Sequence, residues 1–292
     1  MSAAPVETFD AHRGLLFSVA YRILGSVAQA EDAVQESWLR WDRADRSEVA
    51  DPRAYLVKIV TRAAIDQRRG ARAEREVYVG SWLPEPLLAE RAPDVADDAA
   101  RADEVSMAML VVLETLSPLE RSVFVLREAF GFGYAEIGDI IGRGEAAVRQ
   151  LAHRAREHVR ARRPRFEPDR KVRREATERF LAAALGGDLN ALMETLAPDV
   201  TLWTDTGGKV RAPRRPIRGA DKVSKAMERG MRTAPAGLTM RIVEANGGPA
   251  LALLDGERTV SIVFLEVLPE SHLIGELHVI ANPDKLARVT LG

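Results

Sequence analysis

The chain has 292 residues, with 42 Lys and Arg against 43 Asp and Glu, for a formal net charge of -1. That length exceeds one ordinary domain, so two or three compact units are expected, and a hydrophobic fraction of 46% excludes a largely disordered chain. Zero cysteines exclude disulfides, thiolate zinc sites and iron–sulfur clusters, and the five histidines lack metal-ligand spacing. No apolar run has the length of a membrane span, and MSAAPVETFDAHRG lacks the basic start and apolar core of a secretion signal. The expected compartment is the cytoplasm, with no cofactor, no metal and no membrane partner. A net charge near zero argues against a nucleic-acid binder only as an average, because the distribution of charge along the chain decides the electrostatic footprint.

Residues 10 to 76 read as several helices. Leu16, Val19, Ala20, Ile23 and Leu24 recur at helical spacing, and Gly25-Ser26 supplies a stop followed by a cap. A second helix is predicted from Ala28 to Trp41, with Ala30, Ala33, Val34, Ser37, Trp38 and Trp41 on one stripe. Asp51-Pro52 opens a third that runs to about Arg69, and its end is basic, with Arg62, Arg68, Arg69, Arg72 and Arg75. From Tyr78 the prolines and acids of YVGSWLPEPLLAERAPDVADDAARAD mark a linker.

A second helical unit begins near Val105. VSMAMLVVLETL ends at Ser117-Pro118, which caps the next helix, and two further short helices bracket Gly142. In the first of these Ala135, Ile137 and Ile140 are expected to face inward, and in the second Val148, Leu151 and Ala155. This is the pattern of a helix-turn-helix, whose second helix lies in the major groove. Its outer face offers Arg143, Glu145, Arg149, Gln150 and His153 to base edges, and Arg154 and the arginines beyond it to phosphates. The basic helix around Lys58, Arg62, Asp66, Arg68, Arg69 and Arg72 is a second surface for duplex backbone or an opened strand; a solvated basic face is the alternative.

From about Arg170 the character changes. Helices to Gly187 and from Leu189 to Leu196 lead into VTLWTD, LTMRIVEA, PALALLDG, TVSIVFLEVL and GELHVIA, a succession expected to form an antiparallel α+β domain. Alternation puts Glu276 and His278 on one face of a strand. Together with Asp205 they raise an isomerase-like alternative for the tail, set against a structural pair on a packed sheet.

Three stretches carry a resemblance. LLFSVAYRILGSVAQAEDAVQESWLRW resembles the segment with which extracytoplasmic-function sigma factors clamp onto RNA polymerase, the Ala-Glu-Asp-x-x-Gln-Glu core appearing as Ala30, Glu31, Asp32, Gln35 and Glu36. PRAYLVKIVTRAAIDQRRGARA is similar to the family's element for melting and recognising the minus-ten box, with Tyr55 and Arg62 where many members carry Trp and Asn. LSPLERSVFVLREAFGFGYAEIGDIIGRGEAAVRQLAHRAREHV resembles the domain that reads the minus-thirty-five box. The resemblance implies polymerase binding by Glu31, Asp32, Gln35, Glu36 and Trp38, and core RNA polymerase (clamp and flap) and promoter DNA as partners. It implies no catalytic residue, and a monomer when free.

Two further signatures resemble those of members with a fused SnoaL-like, nuclear-transport-factor-2-like tail: the linker motif Trp82, Leu83, Pro84, Glu85 and Pro86, and a loop containing Asp205, Gly207, Gly208 and Lys209. Thr206 stands where the family pattern has a glycine, a residue that accepts positive φ. The implied architecture is two all-α domains, residues 1–76 and 105–165, the second with the helix-turn-helix. They are joined by a linker, 77–104, and followed by an α+β cone-shaped SnoaL-like domain, 166–292. The tail is expected to act as a built-in regulator in both directions, holding the two DNA-binding domains apart in the free protein through WLPEP and assisting polymerase engagement through its loop at 205 to 209 once bound, and to offer a pocket to a small-molecule ligand. The rival for the whole chain is a one-component DNA-binding regulator with a ligand-binding tail, which would be a dimer.

Overall fold

The computed structural model describes residues 5–45, 47, 49–89, 106–162, 169–234 and 237–291, and of residues 72–76 the backbone only. The domain boundaries expected at 104 and 166 fall outside these residues. The chain divides into two compact units. The first takes in the described residues up to Glu76 and those from Met109 to 162; the second takes in 77–89, 106–108 and everything from 169.

The first unit begins with three helices, α1 (Pro5–Leu24), α2 (Val27–Arg43) and α3 (Pro52–Glu76). Leu16, Val19, Ala20, Ile23 and Leu24 are fully buried, as their spacing predicts. Ser26 caps α2 by accepting from the Gln29 N–H at 3.2 Å, and Trp41 is pinned by an indole N–H donated to the Pro5 carbonyl at 3.0 Å. Helix α3 continues past its expected end at Arg69, because Arg68 and Ala71 face the interior and give its later turns a buried anchor.

Four helices follow: α4 (Met107–Glu114), α5 (Pro118–Phe124), which runs into one π turn over Val125–Ala129, α6 (Tyr134–Ile141) and α7 (Glu145–Arg160). Ser117 and Glu120 form a reciprocal capping box at α5. The turn between α6 and α7 depends on glycine twice: Gly142 is left-handed at φ +68, and a Cβ on Gly138 would stand 2.6 Å from the Arg143 carbonyl oxygen. Ile137 and Ile140 are buried as expected, but Ala135 is exposed. At 100° per residue it lies far around the helix from both. In α7 the buried stripe is Val148, Ala152, Ala155 and Val159, with Leu151 at its margin.

The second unit is α+β. Helices α8 (Arg170–Gly186) and α9 (Leu189–Glu194) precede β1 (Leu196–Asp205) and β2 (Ile217–Arg218); α10 (Ala220–Thr233) precedes β3 (Thr239–Ala245), β4 (Gly248–Asp255), β5 (Arg258–Val267) and β6 (Ile274–Ile280), and α11 (Pro283–Leu286) closes the fold. The strands form one open sheet in the order β2-β1-β6-β5-β4-β3. Antiparallel pairing holds from β3 to β6 but not throughout, since β1 lies parallel to β6, with Trp203 opposite His278. The chain crosses from one side of the sheet to the other between them, and α10, not anticipated from sequence, lies in that connection. One face of the sheet carries α8, α9 and α10 over a core that includes Phe180, Leu192, Val223, Leu251 and Leu277.

Candidate nucleic-acid interface and regulatory joint

In the first unit the outer face of α7 is open. Arg143, Glu145, Arg149, Gln150, His153 and Arg154 are all exposed, opposite the buried stripe that fixes the helix. Arg149 pairs with Glu145 along the helix, and Arg154 lies 3.1 Å from Glu120. Tyr134 braces the helix against its neighbours, accepting from Arg156 at 2.7 Å while the Arg149 guanidinium stacks 4.8 Å above its ring. The hydrogen bond from Arg156 pulls the Tyr134 hydroxyl below the ordinary tyrosine range.

The basic face of α3 is differently placed. Arg62 donates to the carbonyls of Ile140 at 2.8 Å and Asp139 at 3.3 Å, at the end of α6. Lys58, half-buried, lines a crevice shared with Tyr55, Glu136 and Asp139. Arg68, assigned to DNA from sequence, is only 4% exposed and pairs with Glu114 at 3.3 Å, so it presents no cation to a nucleic acid in this arrangement. Asp66 and Arg69 are exposed and 3.5 Å apart, and the side chain of Arg72 lies outside the described residues. Glu114 also takes Arg121 at 2.5 Å, and the fully buried Arg121 in turn donates to the Arg22 carbonyl at 2.7 Å. The two helical domains therefore pack on each other through Glu114, Arg121 and Arg62. The expectation that they are held apart is corrected, since Arg68 reaches Glu114, Arg121 reaches the Arg22 carbonyl and Arg62 reaches the end of α6 across the contact itself.

On α2, Glu31, Asp32 and Gln35 are exposed, and Glu36 pairs with Arg40 at 2.5 Å. Trp38 is half-buried, edge-on to Phe9 at 5.1 Å, next to an exposed Leu39. The face is acidic with an apolar margin.

The second unit brings the two tail signatures together at Asp205. Its carboxylate is fully buried and accepts from the Tyr78 hydroxyl at 2.5 Å, the Leu83 N–H at 2.8 Å and the Gly207 N–H at 3.3 Å, and it pairs with Lys285 at 2.7 Å. Lys285, itself 6% exposed, also donates to the Leu83 carbonyl and sits 3.4 Å from the centre of the Trp82 ring. Leu83, Pro84 and Pro86 are buried and Glu85 is half-buried. Asn282 donates to the Tyr78 oxygen at 2.8 Å and caps α11.

Gly207 and Gly208 have φ +59 and +75, and a Cβ on Gly207 would stand 2.6 Å from the Asn282 amide. Thr206 is not among the described non-glycine residues with positive φ, and its hydroxyl accepts from the Gly208 N–H at 3.2 Å, so the loop closes without a glycine there. Lys209 bridges to Asp284 at 2.6 Å. Burial, then the hydrogen bond to Asp205, pushes the Tyr78 hydroxyl well above the ordinary tyrosine range.

Glu276 and His278 do share a face, 3.1 Å apart, but Leu277 and Val279 between and beside them point to the other side, where the sheet lines a cavity. Asp205 is on the Glu276 side as well. The acid and imidazole do not enter that cavity. Among the described residues there is no group of three or more His, Asp or Glu suited to a metal, and no helix is long and apolar enough to cross a membrane. Sequence reasoning missed Glu114, Arg121, Tyr78, Asn282 and Lys285. Only Asn282-Pro283 carried a local signal, as a helix cap followed by proline.

Two helical modules, the second ending in an exposed helix-turn-helix, make up the framework of a sigma-70-type promoter-specificity subunit. Residues 8–74 match Sigma-70 region 2, and residues 106–159 match Sigma-70, region 4. The chain is 39% identical over 290 residues to the ECF RNA polymerase sigma factor SigJ of Mycobacterium tuberculosis, covering 96% of this chain and 92% of that one. It is 33% identical over 278 residues to the probable ECF RNA polymerase sigma factor SigI of the same species, covering 94% and 92%. The crystal structure of SigJ superposes with a TM-score of 0.74 at 36% identity, over 97% of this chain and 98% of that one. The chain belongs to the ECF RNA polymerase sigma factors and serves transcription initiation through regions 2 and 4.

Proposed function

We propose that this sigma factor directs core RNA polymerase to specific promoters and that its C-terminal α+β domain, a SnoaL-like tail, modulates that activity through the Asp205 joint. The observation that carries the reading is the meeting of Leu83, Lys285 and Gly207 on one buried carboxylate: the linker that leads from region 2 is tied to the tail loop, so the tail can restrain it. The acidic face of α2, with Glu31, Asp32, Gln35, Glu36 and Trp38, docks on the polymerase clamp, where rim charges steer and register the contact. The outer face of α7 reads the upstream box. Arg62 and Lys58 meet DNA only after α3 and α6 part, since both now face region 4. Promoter engagement thus draws on a state that the closed contact opposes, and polymerase supplies the differential binding that favours it. The protein acts by binding alone, in the cytoplasm and as a monomer when free; phosphoryl transfer belongs to the polymerase.

The test is in-vitro transcription with purified core polymerase and a promoter library, comparing the intact chain with Asp205→Asn and with a chain ending near residue 162. Sequence-dependent transcripts from the intact chain are expected, with output altered severalfold by either change. Identical output from all three would remove the tail from regulation. No specific initiation, together with dimeric binding to palindromic DNA, would instead favour a one-component regulator.

A further inference from the structure

The face of the sheet opposite Asp205 lines a cavity of about 600 Å³, roofed by α8, α9 and α10. That volume is in the range of small-molecule sites, which are concave, mostly apolar and supplied with a few fixed polar groups. The wall fits the description. Phe180, Leu202, Leu251, Val263 and Leu277 come from the core, and Met227, Met231 and Met240 add unbranched side chains that reshape easily around a guest.

Two observations separate this space from an ordinary packing gap. Ser261, only 7% exposed, lies on the wall with its hydroxyl buried and without a hydrogen-bond partner among the described residues. A buried, unpaired hydroxyl costs stability, and a guest with a hydroxyl or carbonyl would satisfy it. At the mouth, Leu185 is 60% and Met231 39% exposed, which leaves an apolar rim in water. The charged residues at the edge, Asp188, Glu228 and Arg232, are all exposed and of mixed sign, so none lies at depth to neutralise an ion.

We infer that the tail binds an uncharged, largely apolar small molecule bearing one hydroxyl or carbonyl, with that group on Ser261 and the apolar body against the methionines of α10 and β3. The guest is sensed, not converted: Glu276 and His278 are on the other face of the sheet. Thr204 lines the cavity and its neighbour Asp205 anchors the linker, so a guest touches the same strand as the joint.

The test uses the full chain and two probes of one ring skeleton, the uncharged N-phenylnaphthylamine and the sulfonated anilinonaphthalene. The uncharged probe is expected to bind one-to-one with a blue-shifted emission, and the sulfonate about tenfold more weakly, because no buried cation meets it. Ala226→Trp, a helix position on the cavity wall, should weaken the uncharged probe by about tenfold. Naphthol should displace the probe better than methylnaphthalene, and Ser261→Ala, which keeps the fold, should abolish that preference. Equal binding of the two probes, affinity unmoved by Ala226→Trp, or no naphthol preference in the parent chain would each overturn the assignment. Because binding is read directly, its failure leaves the sigma-factor reading standing, and loss of promoter activity leaves the cavity standing.

Discussion

Glu114 in the first unit, mostly covered, and Asp205 in the second, fully buried, are carboxylates that each tie stretches of chain far apart in sequence. Glu114 meets two guanidiniums, Arg68 from region 2 and Arg121 from region 4. Asp205 meets one ammonium, and the rest of its capacity is filled by a phenol and two backbone N–H groups. The difference decides what each joint is sensitive to. The first is a matter of net charge, because removing the anion strands two cations in a contact between domains. The second is a matter of shape, because two of its neutral donors, Tyr78 and the Leu83 N–H, come from a linker that must adopt one path to reach the carboxylate.

The sharpest way to break this comparison is Glu114→Ala. It leaves the fully buried Arg121 without its carboxylate, a loss of about 3–5 kcal/mol for an uncompensated buried charge. A fall of roughly 10 °C in the unfolding temperature is expected by calorimetry. A fall as small as that of an exposed pair would show that the regions are joined by apolar packing alone. Asp205→Asn is expected to cost less, about 2–3 kcal/mol, because the amide keeps an acceptor for the Leu83 N–H while Lys285 loses its counter-charge. Lys285→Met in the same background should recover part of that loss, since it removes the stranded cation. Full additivity of the two in a double-mutant cycle would deny the pair.

Smaller again is Ser117→Ala, which removes half of the capping box at α5 and should cost about 1 kcal/mol in chemical denaturation. It serves as the control for both clusters, because it perturbs region 4 locally without touching either carboxylate.

How much of this was legible beforehand follows from what each feature depends on. The helix stripe of α1, the cap at Ser117 and the turn at Gly142 are local, set by periodicity and backbone conformation, and they are visible in a few consecutive residues. The exposed face of α7 was readable for the same reason. Arg68 was misread because a basic run looks alike whether its arginines meet solvent or a distant Glu114, forty-six residues away. The parallel β1–β6 pairing was missed because nothing local distinguishes the two hands of pairing. Helix α10 was the avoidable omission: Val223, Ala226 and Met227 recur at helical spacing, with Asp221 and Lys225 paired one turn apart. The Asp205 joint was half legible, in that both its motifs stood out by resemblance, while Tyr78 and Lys285 reach it only through the fold.

The finest distinction between the two units is carried by their tyrosines. Tyr134, in region 4, accepts from Arg156 near the surface, and the cation favours the phenolate, so its proton leaves early. Tyr78, in the joint, is half-buried and donates to a carboxylate that repels a phenolate, so its proton leaves late. The sign for stability follows from the folded value lying above the unfolded one, about 10 for tyrosine. The contribution of Tyr78 is complete below that pH and is lost as pH rises toward the folded value, since only the unfolded chain then releases the proton. In an alkaline titration followed by phenolate absorbance, Tyr78→Phe should delete a step above the ordinary tyrosine range and Tyr134→Phe one below it. The stability gap between the parent chain and Tyr78→Phe should narrow above pH about 10. If Tyr78 titrated in the ordinary range, neither its burial nor its hydrogen bond to Asp205 would stand, and the Leu83 N–H would be the linker's one hold on the carboxylate.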